Sequence, residues 1–338
     1  MDTRQELIST LTKTLDHSSL LSSTELGLYV KQFIPSGLPS LDLALGIPGI
    51  PCGRITTIRG KPAAGKSSLV CQLLGACQKV GGISVLIDSE YAYDPIRSQV
   101  IGMDVDSTIV LQPDSLEESF NQIEKTIEII RKEDPDVPVM IAIDSVAGLP
   151  TAAEAKASFG DSMSWGSHAR IVSQALRRIV RKVADQKVAL LFVNQTKDRT
   201  DVAWGDSDTM IADNPISFHS TLILKTTRVG TLGDPNPKGI QSNIRVTKNK
   251  LAPPLREVKL DVLFYSGIDV GRSYGQAAIQ LGYAKKKGGG WIDVDGKSIK
   301  EPEFKQYLID NNLLEEFDKT VREHLERSPQ KLGGNSEE

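Results

Sequence analysis

Short apolar segments alternate with helix-like periods along the middle of this chain of 338 residues, and this alternation constrains the fold more than its composition does. Each predicted strand is followed by a helix and then by another strand, which builds a mostly parallel sheet with helices on both faces. The sequence therefore predicts an α/β fold. Strands are predicted over 54–59, 83–87, 139–143 and 188–193, and helices over 67–78, 115–132 and 167–184.

Two of these segments illustrate the apolar patterns of a strand and of a helix. The strand over 188–193 is apolar at every position, which is typical of a strand that is covered on both faces. Asp114 and Glu117, three positions apart, are predicted to cap the start of the helix over 115–132. That helix carries a single apolar stripe at steps of three and four residues, formed by Leu116, Phe120, Ile123, Ile127 and Ile130.

The chain changes character outside this central region. Residues 1–32 are polar and favour helix, and further strands are predicted over 219–227 and 240–265. The second of these segments contains Pro253-Pro254, which indicates a turn between two strands. The predicted parts are an N-terminal helical arm (1–32), an α/β core (33–268), a small α+β C-terminal domain (269–328) and a flexible tail (329–338).

Composition limits the classes of partner. Lys and Arg total 40 against 43 Asp and Glu, a net charge of −3, so a polyanion must bind where basic residues are locally concentrated. Hydrophobic residues make up 39% and charged residues 25%, which excludes disordered, collagen-like and disulfide-scaffold chains. Cys52, Cys71 and Cys77 are interpreted as buried thiols. We identify no signal peptide or membrane segment and expect a cytoplasmic protein without a membrane partner.

Residues 60–67 read GKPAAGKS and match the phosphate-loop pattern G-x-x-x-x-G-K-[ST] between a predicted strand and a predicted helix. In that position backbone N–H groups can surround phosphate oxygens. Lys66 would supply charge to the β and γ phosphates and Ser67 a hydroxyl to Mg²⁺, whereas the alternative is a chance glycine-rich turn. The residues expected to contact the nucleotide here are Gly60, Pro62, Ala63, Ala64, Gly65, Lys66, Ser67 and Ser68.

Polar residues follow the other predicted strands, at the edge where an open parallel sheet binds its ligands. Asp144 is a natural carboxylate to hold Mg²⁺ together with Ser67. Glu90 could polarise an attacking water, and Gln195 could sense the γ-phosphate. The alternative for each residue is an ordinary polar end of a strand.

Nine segments of the chain carry a family resemblance: the phosphate loop, LPSLDLALG (38–46), IDSE (87–90), Asp94-Pro95, IDSV (143–146), GDS (160–162), SQA (173–175), FVNQ (192–195) and KNK (248–250). Together they resemble the bacterial RecA recombinases and their phage relatives over nearly the whole chain. The resemblance implies a RecA-like ATPase core that binds ATP with Mg²⁺. It further implies a recombinase that forms filaments on single-stranded DNA and promotes homologous pairing and strand exchange with double-stranded DNA.

The resemblance also implies roles for individual residues. Glu90 would be the general base, and Gln195 would couple the γ-phosphate to a DNA-binding loop. Lys248 and Lys250 would reach the ATP of the neighbouring protomer, so that the active site would be a subunit interface. With Lys66 these residues form the expected catalytic set, and the arm over 1–32 would serve polymerisation.

Two positions depart from the family pattern. Arg97 stands where the family commonly has a tyrosine stacked on adenine, so a cation would contact the base, with Asp94 and either Phe264 or Tyr265 nearby. Ala212-Asp213 replaces Gly-Gly ahead of the loop residue Asn214, which places a carboxylate near DNA. Such departures indicate a divergent member, and one encoded by a phage would act at the nucleoid in its host's cytoplasm.

Two segments without apolar periodicity, 158–167 and 197–214, have the composition of mobile loops. Each carries one tryptophan, which could stack on bases or fold back onto the body of the protein. Between residues 160 and 200, eight bases face three acids, although solvated surface charge is the alternative interpretation. The expected DNA contacts are Trp165, Arg170, Arg177, Lys197, Arg199, Trp204 and Asn214, with Arg228 and Arg245 as a weaker outer strip.

Two other functions fit parts of the pattern. A ring motor of related fold, such as a helicase-like ATPase, would need a tandem domain or a primase-contact region that we do not identify. A non-enzymatic, nucleotide-regulated DNA-binding protein would have no need for Lys66, Ser67, Glu90 and Asp144 together. Phe218, after the second loop, is expected either to wedge into the adjacent subunit or to be a core residue.

Overall fold

The computed structural model describes residues 30, 32–158, 166–198, 208–209 and 213–327. Side chains are described for these residues except at 197–198, 208–209 and 213–214. Nearly all of the expected arm over 1–32 and the tail over 329–338 therefore lie outside the described residues, and both stay predictions.

The described chain contains sixteen strands and ten α-helices. The strands are β1 (Phe33–Ile34), β2 (Ile50–Pro51), β3 (Arg54–Gly60), β4 (Ile83–Asp88), β5 (Thr108–Leu111), β6 (Val139–Asp144), β7 (Val188–Gln195), β8 (Lys197–Asp198), β9 (Asp208–Thr209), β10 (Leu222–Leu232), β11 (Gly239–Asn249), β12 (Glu257–Leu263), β13 (Gly267–Ile268), β14 (Lys285–Lys286), β15 (Trp291–Val294) and β16 (Lys297–Lys300). The helices are α1 (Pro39–Leu45), α2 (Lys66–Lys79), α3 (Pro95–Ile101), α4 (Leu116–Glu133), α5 (Ala152–Lys156), α6 (Ser167–Asp185), α7 (Asp213–His219), α8 (Val270–Gln280), α9 (Phe304–Asp310) and α10 (Leu314–Arg327).

Nine strands form the central sheet in the order β13-β12-β11-β10-β3-β7-β6-β4-β5. The pairs from β10 to β5 are all parallel, and β11, β12 and β13 add an antiparallel extension. The predicted α/β class with a mostly parallel sheet is therefore confirmed. The register pairs Gly60 with Gln195 and Asp88 with Asp144, so four strands end side by side at one edge.

Helices cover both faces of this sheet, as the alternating pattern predicts. One face packs against α1 and α2 through residues such as Leu41 and Leu73, and the other packs against α4 and α6 through Phe120 and Leu176. Every residue of β7 from Val188 to Asn194 is fully buried, because side chains on both faces of that strand face a core.

Two local predictions were wrong by a few residues. The helix α4 is capped by Ser115, whose hydroxyl accepts from the N–H of Glu118 at 3.3 Å, while the Glu118 carboxylate accepts from the N–H of Asp114. The predicted pair of Asp114 and Glu117 is thus displaced by one position, because the helix begins at Leu116. The strand predicted over 219–227 begins only at Leu222, because the helix α7 extends as far as His219.

A third core lies in the C-terminal region, where β14, β15 and β16 form a small sheet beside α8, α9 and α10. Phe304 and Phe317 meet edge to face at its centre, with ring centroids 5.5 Å apart. The three cysteines are free and buried, as expected. None of the described helices combines the length and the apolar character that crossing a membrane would require.

Candidate nucleotide site and basic cluster

The phosphate loop has the strand–loop–helix context that its motif requires. It leaves β3 at Gly60, and α2 begins at Lys66 directly after Gly65, which has a φ of 86° that favours glycine. A Cβ atom at Gly60 would lie 2.3 Å from the carbonyl oxygen of Thr226, so only glycine fits beside β10. The loop is therefore shaped by close backbone approach on one side and by a helix N-terminus on the other.

The Lys66 side chain lies inside the curve of this loop. It is 7% exposed, and its Nζ atom donates to the carbonyl oxygen of Lys61 at 2.9 Å. Burial lowers the pKa of Lys66, while the carboxylates of Asp144 and Glu90 oppose that shift. The cation is thus partly desolvated, which strengthens its attraction for an anion bound in the loop.

Ser67 and Asp144 meet next to this lysine. The Ser67 hydroxyl donates to Oδ2 of Asp144 at 2.7 Å. Burial raises the pKa of Asp144, and the Ser67 hydrogen bond is the main effect in the opposite direction. A hydroxyl and a carboxylate are hard oxygen ligands of the kind that suits Mg²⁺, which is usually held by one or two carboxylates together with substrate phosphates. The side chains present fit that metal.

Glu90 lies at the exposed side of the same group. Its Oε1 atom accepts from Ser145 Oγ at 2.7 Å and from Gln195 Nε2 at 2.8 Å. The structure thus brings the two strand-end residues expected to act on the phosphates into direct contact. Asp88, the last residue of β4, instead accepts from the backbone N–H groups of Ala92 and Tyr93 and shapes the turn.

A cleft of about 400 Å³ extends from the phosphate loop and falls within the range of small-molecule sites. Lys66, Glu90 and Asp144 line one part of it, and Asp94 and Arg97 line another. Asp94 caps α3 by accepting from the N–H of Arg97 at 3.1 Å, which fixes the start of that helix beside the cleft. We call this space the nucleotide cleft.

The expected aromatic partners of the base lie elsewhere. Phe264 and Tyr265 are in the turn between β12 and β13, where they are 45% and 88% exposed, and neither lines the nucleotide cleft. The strand β13, which follows this turn, approaches α3, since a Cβ atom at Gly267 would lie 2.9 Å from Ile101. Their contact with the base stays a prediction.

Lys248 and Lys250 lie at the end of β11, away from the phosphate loop of their own chain. Lys248 pairs with Ile223, which pairs in turn with Thr57, three residues and therefore about 10 Å before Gly60 along β3. The Lys248 Nζ atom donates to the carbonyl oxygen of Ser217 at 2.5 Å and lies 3.3 Å from that of Phe218.

The two lysines and Arg177 lie close enough to His219 to affect its pKa. Burial lowers the pKa of His219 most, and the charges of Lys250, Arg177 and Lys248 lower it further. Burial and the charge of Lys250 likewise lower the pKa of Lys248. We call Lys248, Lys250, His219 and Arg177 the basic cluster.

The expected DNA contacts that the structure describes are exposed. Arg170 and Arg177 project from α6, where Arg177 donates to the hydroxyl of Ser173 at 3.1 Å. Arg228 on β10 donates to Thr231, and Arg245 on β11 lies opposite Lys225 and Glu257 in the register. The remaining expected contacts cannot be placed by side chain: Trp165, Arg199 and Trp204 lie outside the described residues, and only the backbones of Lys197 and Asn214 are described.

Phe218 is 74% exposed, which excludes the core interpretation of this residue. Its ring meets that of His219 edge to face, with centroids 5.2 Å apart. An apolar side chain therefore stands on the surface beside the basic cluster.

The motifs did not reveal two buried serines of the site. Ser89 and Ser145 join the turns after β4 and β6, and Ser145 also contacts Glu90. Both serines lie within the IDSE and IDSV segments, so each was adjacent to a named residue. The missing signal was the pairing of Asp88 with Asp144, which brings these turns together.

Comparison with known proteins gives a consistent result. A family model described as the RecA N-terminal domain matches residues 5–269. Protein RecA of Brucella anthropi is 32% identical over 295 residues, which cover 86% of this chain and 80% of the relative. Protein RecA of Acidiphilium cryptum is 34% identical over 281 residues, which cover 82% of this chain and 80% of the relative.

Proposed function

Because this chain belongs to the RecA family, we propose that it is an ATP-dependent DNA recombinase that forms filaments on single-stranded DNA and promotes homologous pairing and strand exchange. The comparisons support this recombinase function and favour neither a ring motor nor a non-enzymatic regulator. We further propose that the protein hydrolyses ATP in a DNA-dependent manner, and that it acts at the nucleoid in the cytoplasm.

The observation that carries the proposal is the position of the Glu90 carboxylate in the same cleft as Lys66, Ser67 and Asp144. Phosphoryl transfer to water needs a group that orients or deprotonates the water, together with cations around the phosphates. Glu90 takes the first role, and Lys66 supplies one of the charges. The Ser67 hydroxyl and the Asp144 carboxylate would hold Mg²⁺, which supplies further positive charge at the phosphates when bound.

We assign the remaining charge to a neighbouring copy of the chain. In the basic cluster the pKa values of His219 and Lys248 are lowered by burial and by neighbouring cations, which is the electrostatic setting of an anion site. Its lysines lie at the end of β11, about 10 Å along the strand direction from the start of their own phosphate loop at Gly60. In a filament these lysines would reach the triphosphate held by the next protomer, with Phe218 as an apolar contact at the same interface.

DNA would bind at the loops that follow β7 and precede α6. Gln195 is the last residue of β7, so a movement of its side chain from Glu90 toward a γ-phosphate would pass to the segment that follows. We propose that ATP binding orders this segment on single-stranded DNA through that movement, and that hydrolysis reverses it. Arg170 and Arg177 would contact phosphates, and Arg228 and Arg245 would guide the second strand.

Electron microscopy tests the proposal most simply. The protein is mixed with single-stranded DNA and a non-hydrolysable ATP analogue, and negatively stained images are recorded with and without DNA. We expect helical filaments whose length follows that of the DNA. Closed rings would instead favour a motor, and nucleotide-independent decoration would favour a passive DNA-binding protein.

A further inference from the structure

Glu90 is exposed, yet one of its carboxylate oxygens is tightly held. Ser145 Oγ and Gln195 Nε2 both donate to Oε1, at 2.7 Å and 2.8 Å. The two donors differ in their surroundings, because Ser145 is fully buried whereas Gln195 is partly exposed at the end of a strand. One donor is therefore fixed in place, and the other is free to turn toward a ligand.

Backbone contacts fix Ser145. Its N–H donates to the hydroxyl of buried Ser89 at 2.7 Å, and that hydroxyl donates in turn to the Ser145 carbonyl oxygen. The next turn also packs closely, since a Cβ atom at Gly148 would lie 2.8 Å from Ser89 Oγ and 3.2 Å from Glu90 Cγ. The hydroxyl that reaches Glu90 is thus held in place by the contact between two buried serines, Ser89 and Ser145.

We propose that Ser145 is a positioning residue for ATP hydrolysis, and this inference rests on the proposed function, in which Glu90 is the general base. Ser145 holds the carboxylate toward the cleft whichever way Gln195 turns. Because both donors use Oε1, the other oxygen, Oε2, is left to accept the proton of the attacking water. A base must stay within hydrogen-bond reach of its proton, and a displacement of about 1 Å can cost roughly 100-fold in rate.

The role of Ser145 is greatest once nucleotide is bound. When Gln195 turns to a γ-phosphate, the bond from Ser145 is the one that still orients Glu90. Loss of the serine hydroxyl would then let an exposed carboxylate adopt several rotamers. Nucleotide binding should be retained, because the Ser145 hydroxyl donates to Glu90 whereas the Lys66 cation contacts the carbonyl oxygen of Lys61.

The test compares steady-state ATP hydrolysis, with saturating single-stranded DNA, in Ser145→Ala and Ser145→Thr. We expect Ser145→Ala to lower kcat about tenfold and to leave KM within about twofold, and Ser145→Thr to recover most of the rate because it keeps the hydroxyl. The matched control is Ser84→Ala, which removes another buried serine hydroxyl, one that donates to the Leu74 carbonyl at 2.8 Å. This control should retain the wild-type kcat.

A second arm covers the case in which threonine is too large for the buried site. In a Glu90→Gln background, single-turnover hydrolysis should be the same with or without the Ser145→Ala substitution, because the serine acts through Glu90. A further loss of about tenfold in that background would overturn the inference. So would a wild-type kcat in Ser145→Ala, or an equal loss in Ser84→Ala.

Failure of the proposed function would give a different experimental result from failure of the positioning role alone. If the wild-type protein showed no DNA-stimulated hydrolysis, the recombinase proposal would fail and the role of Ser145 would fail with it. If the wild type hydrolysed ATP while Ser145→Ala matched it, only the positioning role would be wrong.

Discussion

The nucleotide cleft and the basic cluster lie apart on the central sheet, with Lys248 about 10 Å along the strand direction from the end of β3 at Gly60, and they differ in how far one chain completes them. In the cleft, cation, hydroxyl and carboxylates are joined to partners within the chain by hydrogen bonds. In the basic cluster, cations surround a histidine, and none of its four members forms an ion pair with a carboxylate of the described residues. The cleft is preorganised within one chain, whereas the cations of the basic cluster have no carboxylate partner among the described residues.

This difference separates nucleotide binding, which one copy of the chain can achieve, from rapid hydrolysis, which is expected to need a second copy. Nucleotide binding depends on groups that a single copy already holds in place. In the proposed function, rapid hydrolysis would additionally depend on charge that one copy carries at a distance from its own cleft. Substitutions in the two regions should therefore separate binding from turnover, and separate the isolated chain from the filament.

The largest effect is expected in the cleft, from Glu90→Gln. The amide keeps the size of the side chain but cannot accept a proton, so kcat for DNA-stimulated ATP hydrolysis should fall by about 10²–10⁴. Binding of a fluorescent ATP analogue should be retained, because Lys66 and its loop are untouched. Undiminished hydrolysis would remove Glu90 as the base.

Lys248→Ala, in the basic cluster, should have the next largest effect. The loss of one charge at the neighbouring phosphates should reduce kcat about 10–100-fold in filaments, while the monomer binds nucleotide as before. The control is Lys259→Ala, an exposed lysine on the adjacent strand β12. Equal losses of monomer binding and turnover in Lys248→Ala would show that this lysine serves its own cleft.

Arg97→Tyr, a substitution within the cleft, should strengthen ATP binding without involving the basic cluster. An aromatic ring at this position could stack on the base, and such stacking contributes about 1 kcal/mol or more, so the Kd for ATP should fall about fivefold. Titration of the monomer with ATP measures this Kd. Arg97→Ala is the reference, because it removes the cation without adding a ring. If tyrosine and alanine gave the same Kd, the base would lie away from α3.

The smallest effect concerns protons at the basic cluster. The pKa of His219 is held below its usual value by burial and by neighbouring cations, so the isolated chain resists its protonation. An incoming triphosphate would raise that pKa, and assembly with ATP should take up a fraction of a proton and tighten as the pH falls toward about 6. Calorimetry in two buffers of different ionisation enthalpy measures the uptake, and His219→Gln should abolish it. Uptake that is unchanged in this variant would place the protons elsewhere.

The sequence predicted the fold and most of the cleft because these depend on local patterns. Apolar runs defined the parallel strands, and the phosphate-loop motif defined the turn between β3 and α2. The cap of α4 was misplaced because Ser115 and Asp114 are both good caps, and only the helix start decides between them.

Other features depended on pairing between distant segments. The contact of Ser145 with Glu90 follows from the register of β4 with β6, which no spacing along the chain encodes. The role of the lysines at the end of β11 at a neighbouring ATP was inferred from family resemblance alone. That they share a surface with His219 and Arg177 is a tertiary result.

The central claim is that each nucleotide cleft is completed by the basic cluster of a neighbouring copy, and mixing two inactive variants tests it directly. Lys66→Ala has a defective cleft but intact lysines, whereas the double variant Lys248→Ala, Lys250→Ala has an intact cleft but no lysines to offer. We predict that equimolar mixtures on single-stranded DNA regain ATP hydrolysis well above the sum of the two separate activities. Activity no greater than that sum, in filaments shown to contain both variants, would contradict the account.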